Sequence, residues 1–275
     1  MSQPQSPAAG AGISMVDIDA AGRHLRIEVE WVGRAREDDE PLVFLHEGLG
    51  SVSMWRDFPR LLCDDLGRRG LVYSRPGYGR STARAPAEAW APDFMHLQAL
   101  EVLPAVLRAT GVDGRYWLFG HSDGGSIALI HAALKPERVA GAVVVAPHIC
   151  VEDISITSIA AARQAYVDGG LRERLQRHHA DVDSAFFGWN DAWLSPAFRD
   201  WTIEPLLSLI RCPMLAIQGE LDEYGTLAQI EGIARFAPWT RLLPMPDCGH
   251  SPHRDRAPVL VQAVRDWLAA GLAPG

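Results

Sequence analysis

The chain has 275 residues, of which 48% are hydrophobic and 22% are charged. This composition is typical of one globular α/β domain with a large core, and it excludes intrinsic disorder. The formal net charge of −8, without a long run of Lys or Arg, argues against binding to nucleic acid or to an anionic membrane surface. These numbers favour a small-molecule partner and do not define the oligomeric state.

The cysteines and the N-terminal residues suggest a cytoplasmic location. The four cysteines lie far apart without a C-x-x-C pair, so they indicate neither a zinc site nor a disulfide framework. Residues 1–12 lack the basic and apolar regions of a signal peptide, and their small and polar side chains predict a flexible tail. The longest apolar stretch, Val139 to Pro147, is too short to span a bilayer. We therefore expect a cytoplasmic protein.

Strands and helices are predicted to alternate along most of the chain. Apolar and β-branched runs predict strands at residues 13–18, 25–32, 42–45, 71–73, 116–119, 139–146, 214–218 and 240–244. Helical spacing of apolar residues predicts helices at residues 53–66, 92–111, 127–134, 226–236 and 257–268. Ser51 or Ser53 should cap the first helix, and Pro104 should kink the second. The alternation predicts an α/β fold with a mostly parallel sheet and helices on both faces.

The alternation fails between residues 148 and 206, where two or three helical stretches follow one another without a strand. We predict a helical lid there, inserted into a core formed by residues 13–147 and 207–275. The aromatic residues of the lid should mostly form its own core, while some line a substrate pocket. The candidates for that pocket are Glu47, His148, Phe187, Trp189 and Trp193.

One motif in this pattern suggests nucleophilic catalysis. Gly120-His121-Ser122-Asp123-Gly124 matches G-x-S-x-G between a predicted strand and a predicted helix. Ser122 would then lie on a sharp strand-to-helix turn, where glycines allow the neighbouring backbones to approach closely. The motif alone is weak evidence, because a serine hydroxyl is a poor nucleophile without a base and an acid.

Both partners can be nominated from the loops that follow two later strands. Asp222 follows the strand at 214–218, and His250 follows the strand at 240–244. The carboxyl ends of parallel strands are where active sites of open α/β folds lie. Other acidic residues are rivals of Asp222, and a second histidine near His250, expected on the surface or behind the base, is its rival. The rivals are Glu220, Glu223, Asp153 and His253.

In the order nucleophile, acid, histidine, these motifs make the chain resemble the α/β-hydrolase superfamily from about residue 25 to residue 270. The turns His46-x-Gly48 and Gly77-x-Gly79-x-Ser81 add to the resemblance. The resemblance implies that Ser122 is the nucleophile, His250 the general base and Asp222 the acid that orients the base.

The resemblance also implies an oxyanion hole made of two backbone N–H groups. One belongs to Asp123, and the other belongs to Gly48, with Glu47 as the alternative. Glu47 departs from the family pattern, which commonly has glycine at this position, and its carboxylate would oppose a developing oxyanion. We therefore expect Glu47 to point away or to be neutralised by an arginine, for which Arg75 is a candidate.

Other polar residues are expected to be structural. His46 and His121 should form hydrogen bonds near the sheet edge, and the pair His178 and His179 is typical of a polar helix face or turn rather than of a metal site. The sequence contains neither a dinucleotide-binding G-x-G-x-x-G after a first strand nor a metal-ligand cluster, so no cofactor is expected.

The leading functional prediction is a carboxylesterase that cleaves a small ester through an acyl-enzyme. The same residues are compatible with carbon-carbon bond hydrolysis of the meta-cleavage type, and with hydrolysis of a lactone or a thioester. An alternative of another class is a ligand-binding protein that retains the triad without significant turnover.

Overall fold

The computed structural model describes residues 12–34, 40–85 and 88–270. Residues 1–11 of the predicted flexible tail lie outside the described residues, whereas Gly12 is the first residue of a strand. None of the helices in the described part of the chain combines the length and the hydropathy that a membrane span requires.

The described residues form a single eight-stranded sheet. Its strands are β1 Gly12–Ala20, β2 Arg23–Gly33, β3 Leu42–Leu45, β4 Arg69–Tyr73, β5 Tyr116–His121, β6 Val139–Val145, β7 Met214–Gly219 and β8 Arg241–Met245. The order across the sheet is β1-β2-β4-β3-β5-β6-β7-β8. β1 pairs with β2, and β2 with β4, in antiparallel fashion, whereas the pairs from β4 across to β8 are parallel. The predicted mostly parallel sheet is confirmed.

The central strands are apolar throughout because both faces of the sheet are covered. Successive residues of β3 and β5 point to opposite faces. Val43 and Leu118 belong to the core on one side, while Phe44 and Phe119 belong to the core on the other side. The sheet therefore separates two hydrophobic cores.

Helices cover both cores. They are α1 Phe58–Leu66, α2 Phe94–Leu97, α3 Leu103–Ala109, α4 Asp123–Leu134, α5 Asp153–Asp168, α6 Leu171–Leu175, α7 Val182–Leu194, α8 Glu204–Leu207, α9 Ala228–Phe236, α10 Pro252–Asp255 and α11 Ala257–Ala269. α1 and α11 bury apolar residues in one core, whereas α3, α4 and α9 do so in the other. The predicted helices on both faces are thus confirmed.

The first predicted helix was placed too early. Residues Val52–Trp55 form a 3₁₀ turn, which ends at Arg56 with a φ of 53°, and α1 begins only at Phe58. A left-handed residue cannot continue a right-handed helix, so it separates the two elements. Neither Ser51 nor Ser53 caps α1, since its N-cap is Asp57, which makes no side-chain capping hydrogen bond.

The kink expected at Pro104 takes the form of a π turn. Residues Gln98–Val102 form this wider turn between α2 and α3, and Pro104 lies in the first turn of α3. Proline has no N–H for the helical ladder, and its ring collides with the carbonyl group four residues earlier. The wider turn just before Pro104 accommodates both effects.

Between β6 and β7, residues 148–206 contain α5 to α7 and all but the last residue of α8, and we call this range the helical insertion. Several of its aromatic side chains are buried in the same core that α4 covers, namely Phe186, Trp189, Trp193, Phe198 and Trp201. Ile203 N donates to the Ile149 carbonyl oxygen at 2.8 Å, so both ends of the insertion return to the edge of the sheet next to each other.

Candidate active site

Ser122 occupies the turn between β5 and α4 with a strained backbone. Its φ of 54° and ψ of −121° lie in a region that non-glycine residues rarely adopt. A Cβ on Gly120 would lie 2.3 Å from the Gly124 carbonyl oxygen, and a Cβ on Gly124 would lie 2.0 Å from the Leu45 carbonyl oxygen. The two glycines therefore permit the close backbone contacts that hold this turn in place.

The structure brings Ser122, His250 and Asp222 together. His250 Nε2 lies 3.0 Å from Ser122 Oγ. His250 Nδ1 lies 2.9 Å from both carboxylate oxygens of Asp222. This is the geometry that proton transfer from a serine to a histidine requires, with the carboxylate orienting the imidazole ring.

The rival acids form no hydrogen bond with His250 within the described residues. Glu220 and Glu223 are exposed at the loop after β7, and Asp153 forms an ion pair with Arg199 at the surface. Only Asp222, among these four carboxylates, contacts the His250 ring. The geometry therefore favours Asp222 as the partner of the histidine.

Asp222 is held as a buried carboxylate by donors on several sides. Its oxygens accept hydrogen bonds from Tyr224 N at 2.7 Å, Gly225 N at 3.3 Å and Gln218 Nε2 at 2.6 Å. Burial by itself would raise the pKa of Asp222, but the hydrogen bond and charge of His250 and the Tyr224 amide lower this pKa below its ordinary value. Asp222 is therefore ionised at neutral pH.

Glu47 is paired with an arginine, as one of the two expectations had it, but this arginine is Arg254 and not the candidate Arg75. Glu47 Oε1 lies 3.0 Å from Arg254 Nη2, and Glu47 Oε2 lies 3.5 Å from His121 Nδ1. Burial opposes ionisation of Glu47, yet the contacts with His121 and Arg254 hold the pKa of this carboxyl well below its usual range. His121 Nε2 donates to the His250 carbonyl oxygen at 2.7 Å, which links Glu47 to the histidine loop.

Arg75 lies close to a different carboxylate, that of Asp123. Its fully buried guanidinium group donates to the Glu47 carbonyl oxygen at 2.8 Å and lies 3.8 Å from Asp123 Oδ2. Trp193 Nε1 donates to Asp123 Oδ1 at 3.1 Å. Burial raises the pKa of Asp123, while Arg75 and Trp193 oppose that shift. Asp123 is also the first residue of α4, where a carboxylate interacts favourably with the helix dipole.

Two neighbouring histidines, His46 and His179, have structural contacts. His46 Nδ1 donates to the Glu47 carbonyl oxygen at 2.7 Å, while His46 Nε2 accepts from Arg75 N at 2.9 Å. His179 accepts from Gly79 N at 3.0 Å and donates to the Leu49 carbonyl oxygen at 2.9 Å, so this residue ties the helical insertion to the core. The sequence predicted a polar helix face or turn for the pair His178 and His179, and His178 lies in a turn after α6, whereas the His179 side chain is buried at this junction.

His253 is buried as well, so of the two positions expected from the sequence, on the surface or behind the base, the surface one is excluded. Its ring lies 4.6 Å from the His121 ring and 4.9 Å from the Trp55 ring, measured between centroids. Burial holds the pKa of His253 well below its ordinary value. The short helix α10, which the sequence analysis missed, turns His253 inward beneath His121 and away from Ser122.

A cavity of about 250 Å³ opens above Ser122, between the sheet edge and the helical insertion. Four of the predicted pocket residues line it, namely Glu47, His148, Trp189 and Trp193. Phe187 does not, because it faces away and packs against Tyr166 and Phe186. Trp189 and Trp193 are four residues apart on α7 and share the face that turns to the cavity.

Other lining residues were missed by the sequence analysis. Tyr224 packs its ring 4.7 Å from the His250 ring, between centroids, and Arg254 reaches the cavity from α10. Apolar side chains from the insertion and from the loop after β3 complete the wall, including Leu49, Met54, Ile159, Leu171 and Leu175. Helical spacing from His250 could not have signalled Arg254, because α10 begins only at Pro252.

Trp189 also packs tightly on the turn after β3. A Cβ on Gly48 would lie 2.2 Å from Trp189 Nε1, so only glycine fits at position 48 under this indole. The turn that contains the predicted oxyanion donor is therefore covered by the helical insertion. Within residues 12–34, 40–85 and 88–270, no group of three His, Cys, Asp or Glu side chains is arranged to hold a metal ion.

A family model described as alpha/beta hydrolase fold matches residues 40–188, which is more than half of the chain. The chain belongs to the α/β-hydrolase family. The predicted resemblance is thereby confirmed, and the match covers the turn after β3, the strand-to-helix turn at Ser122 (the elbow), the first two helices of the insertion and part of α7.

Named hydrolases are among the relatives of this α/β hydrolase. The protein named "Putative carbamate hydrolase RutD" from Variovorax paradoxus (strain S110) is 27% identical over 259 residues, which cover 86% of this chain and 95% of the relative. Serine hydrolase BPHL from Mus musculus is 25% identical over 279 residues, which cover 94% of this chain and 88% of the relative.

Solved structures share the fold. The malate-bound structure of a thermophilic esterase from Thermogutta terrifontis is similar with a TM-score of 0.71 and 20% identity, covering 96% of this chain and 100% of the esterase. The enol-lactonase from Burkholderia xenovorans LB400 is similar with a TM-score of 0.72 and 20% identity, covering 92% of this chain and 99% of the lactonase.

Proposed function

We propose that this α/β hydrolase is a serine hydrolase that cleaves small carboxylic esters through an acyl-enzyme. The observation that supports the proposal most is the line of contacts from Ser122 Oγ to His250 Nε2, at 3.0 Å, and from His250 Nδ1 to Asp222, at 2.9 Å. It lies at the base of a cavity that is mostly apolar, as a site for a small organic ester should be.

In the proposed acylation step, Ser122 Oγ attacks the ester carbonyl carbon while its proton passes to His250 Nε2. The tetrahedral intermediate then collapses, and the carbon-oxygen bond to the alcohol breaks as His250 gives the proton to the leaving oxygen. The products of this step are the free alcohol and Ser122 esterified with the acyl group.

Deacylation repeats the sequence with water. His250 removes a proton from a water molecule as its oxygen attacks the acyl carbonyl carbon, and the proton returns to Ser122 Oγ when the acyl-oxygen bond breaks. The carboxylic acid leaves. Asp222 stabilises the positively charged imidazolium in both steps, which its buried, ionised carboxylate suits.

The oxyanion of both intermediates is assigned to the backbone N–H groups of Asp123 and Gly48. Asp123 begins α4, so its N–H group is one of the free donors at a helix N-terminus. The Glu47 carboxylate, which would oppose the oxyanion, is occupied by Arg254 and His121. This pairing removes the electrostatic objection to a carboxylate at position 47.

The test compares the parent with Ser122→Ala on the para-nitrophenyl esters of acetic and butyric acid. We expect the variant to lose at least about 10³-fold in kcat/KM, because the covalent route is removed. The matched control is Ser208→Ala, at an exposed serine after α8, which should retain parental turnover. Turnover that is undiminished in Ser122→Ala would refute the proposal.

A fluorophosphonate probe separates an enzyme from a binding protein. We expect the probe to label the parent and Ser208→Ala but not Ser122→Ala. A parent that neither reacts with the probe nor cleaves any ester would instead support a ligand-binding role.

A further inference from the structure

His148 lies in the loop after β6 and is the first residue beyond this strand to face the cavity. Hydrogen bonds hold its backbone in place. His148 N donates to Ser126 Oγ at 3.0 Å, and Ser126 Oγ donates to the His148 carbonyl oxygen at 2.6 Å. Ser126 lies in the first turn of α4, four residues after Ser122. The position of His148 is therefore tied to the same helix that presents Ser122.

The imidazole ring of His148 has no hydrogen-bond partner in the described part of the chain. The residue is only 2% exposed, and its Nδ1 is buried without a partner. The ring packs edge-on against Trp193, 4.9 Å between centroids, and lies 6.0 Å from the His250 ring. A buried polar group without a partner is costly unless a ligand or water satisfies it.

The protonation state of His148 limits what it can bind. Burial, with the neighbouring His250, lowers the pKa of His148 to about 3, although Asp222 opposes the shift. The ring is therefore neutral where esterases work, and a neutral imidazole has one donor and one acceptor. It offers no positive charge to a carboxylate, and Arg254, which also lines the cavity, is already paired with Glu47.

A hydroxyl group fits this ring best. A hydroxyl group can donate to the unprotonated nitrogen of His148 or accept from the protonated one. It also brings no charge into a largely apolar cavity. The neighbouring Trp193 N–H already donates to Asp123, so it does not compete for the same group.

We infer that His148 is a specificity-determining residue, which hydrogen-bonds a neutral hydroxyl group on the substrate next to the ester. The inference rests on the proposed function, since it names the substrate class of that same site: small esters with a hydroxyl in the acyl or the alcohol portion.

The experiment uses two pairs of esters in which a methyl group replaces the hydroxyl at constant shape. For the acyl portion, the pair is the para-nitrophenyl esters of beta-hydroxybutyric and isovaleric acid. For the alcohol portion, the pair is hydroxyethyl acetate and propyl acetate. The ratio of kcat/KM within each pair measures the preference for the hydroxyl and cancels the common chemistry.

We expect the parent to favour the hydroxyl ester of one pair by about 5- to 150-fold, the value of one buried hydrogen bond. His148→Phe keeps a ring in the space and removes both nitrogens, so the ratio should fall to near one, because the hydroxyl ester loses more rate than the methyl ester. His148→Gln restores a donor and an acceptor and should recover part of the ratio. Ser208→Ala, at an exposed residue outside the cavity, should leave the ratio unchanged.

Two results would overturn the inference. One is a parent that hydrolyses the esters without preference in either pair. The other is an equal loss of kcat/KM on both esters of a pair in His148→Phe, which would mean that His148 supports the triad and does not recognise the hydroxyl group. Fluorophosphonate labelling distinguishes these results from failure of the proposed function: a labelled parent without a hydroxyl preference refutes only the inference, whereas an unlabelled, inactive parent refutes both.

Discussion

Removing the charge of Glu47 should destabilise the protein in a pH-dependent way. Its carboxylate contacts Arg254 at 3.0 Å and His121 at 3.5 Å, with 15% of the Glu47 side chain exposed. A hydrogen bond to a charged group contributes about 1.5–3 kcal/mol. Because 34% of the Arg254 side chain is exposed to water, screening reduces its share. We expect Glu47→Gln to lower the free energy of unfolding by about 1–2 kcal/mol at neutral pH.

The sign of the pH dependence follows from the pKa of Glu47, which the fold holds well below the ordinary value of 4.5. A carboxyl whose pKa is lower in the folded state stabilises the fold fully above its unfolded pKa. The contribution is lost as the pH falls through the folded pKa. The difference in unfolding free energy between parent and Glu47→Gln should therefore be largest at neutral pH and shrink below that ordinary value.

Urea unfolding, followed by the fluorescence of the nine tryptophans, measures this difference at neutral pH and at about pH 3.5. The control is Glu30→Gln, which removes an ion pair to Arg60 at 3.4 Å from a more exposed site. That change should cost less than about 1 kcal/mol. A Glu47→Gln variant as stable as the parent at neutral pH, or a difference that does not shrink in acid, would refute the reasoning.

Two further changes test the site and the turn that positions it. Asp222→Asn should lower kcat by roughly 10³- to 10⁴-fold in ester assays with little loss of stability. The reason is that an amide N–H donated to His250 Nδ1 leaves the ring proton on Nε2, so that this nitrogen cannot accept the Ser122 proton. Turnover near the parental value would contradict this. Gly124→Ala should lower the free energy of unfolding in urea by at least about 3 kcal/mol, since its Cβ would lie 2.0 Å from the Leu45 carbonyl oxygen. Gly114→Ala, whose Cβ meets nothing within 4 Å, is the control and should be nearly neutral; similar losses in both would count against the steric argument.

The fold and the candidate triad were accessible to sequence reasoning because their signals are local. Buried parallel strands have continuous apolar runs, and the glycines of the elbow mark a close approach of backbones at Ser122. Since parallel strands end at one sheet edge, the loops after β7 and β8 had to bring Asp222 and His250 near that serine.

Element starts were less accessible. The first helix begins at Phe58 because Arg56 adopts a positive φ, a choice that its residue type does not favour. The orientation of Phe187 was also missed, although the spacing of Trp189 and Trp193 on one helix face could have separated them from it.

The sequence by itself determined the order of strands and helices, the elbow at Ser122, and the acid and histidine loops, since each depends on residues close together in the chain. The tertiary structure decided that Glu47 pairs with Arg254, 207 residues away, and that the His148 ring faces the cavity without a hydrogen-bond partner among the described residues. Ion pairs and cavities depend on which elements become neighbours across the fold, and a local pattern of residues cannot predict those contacts.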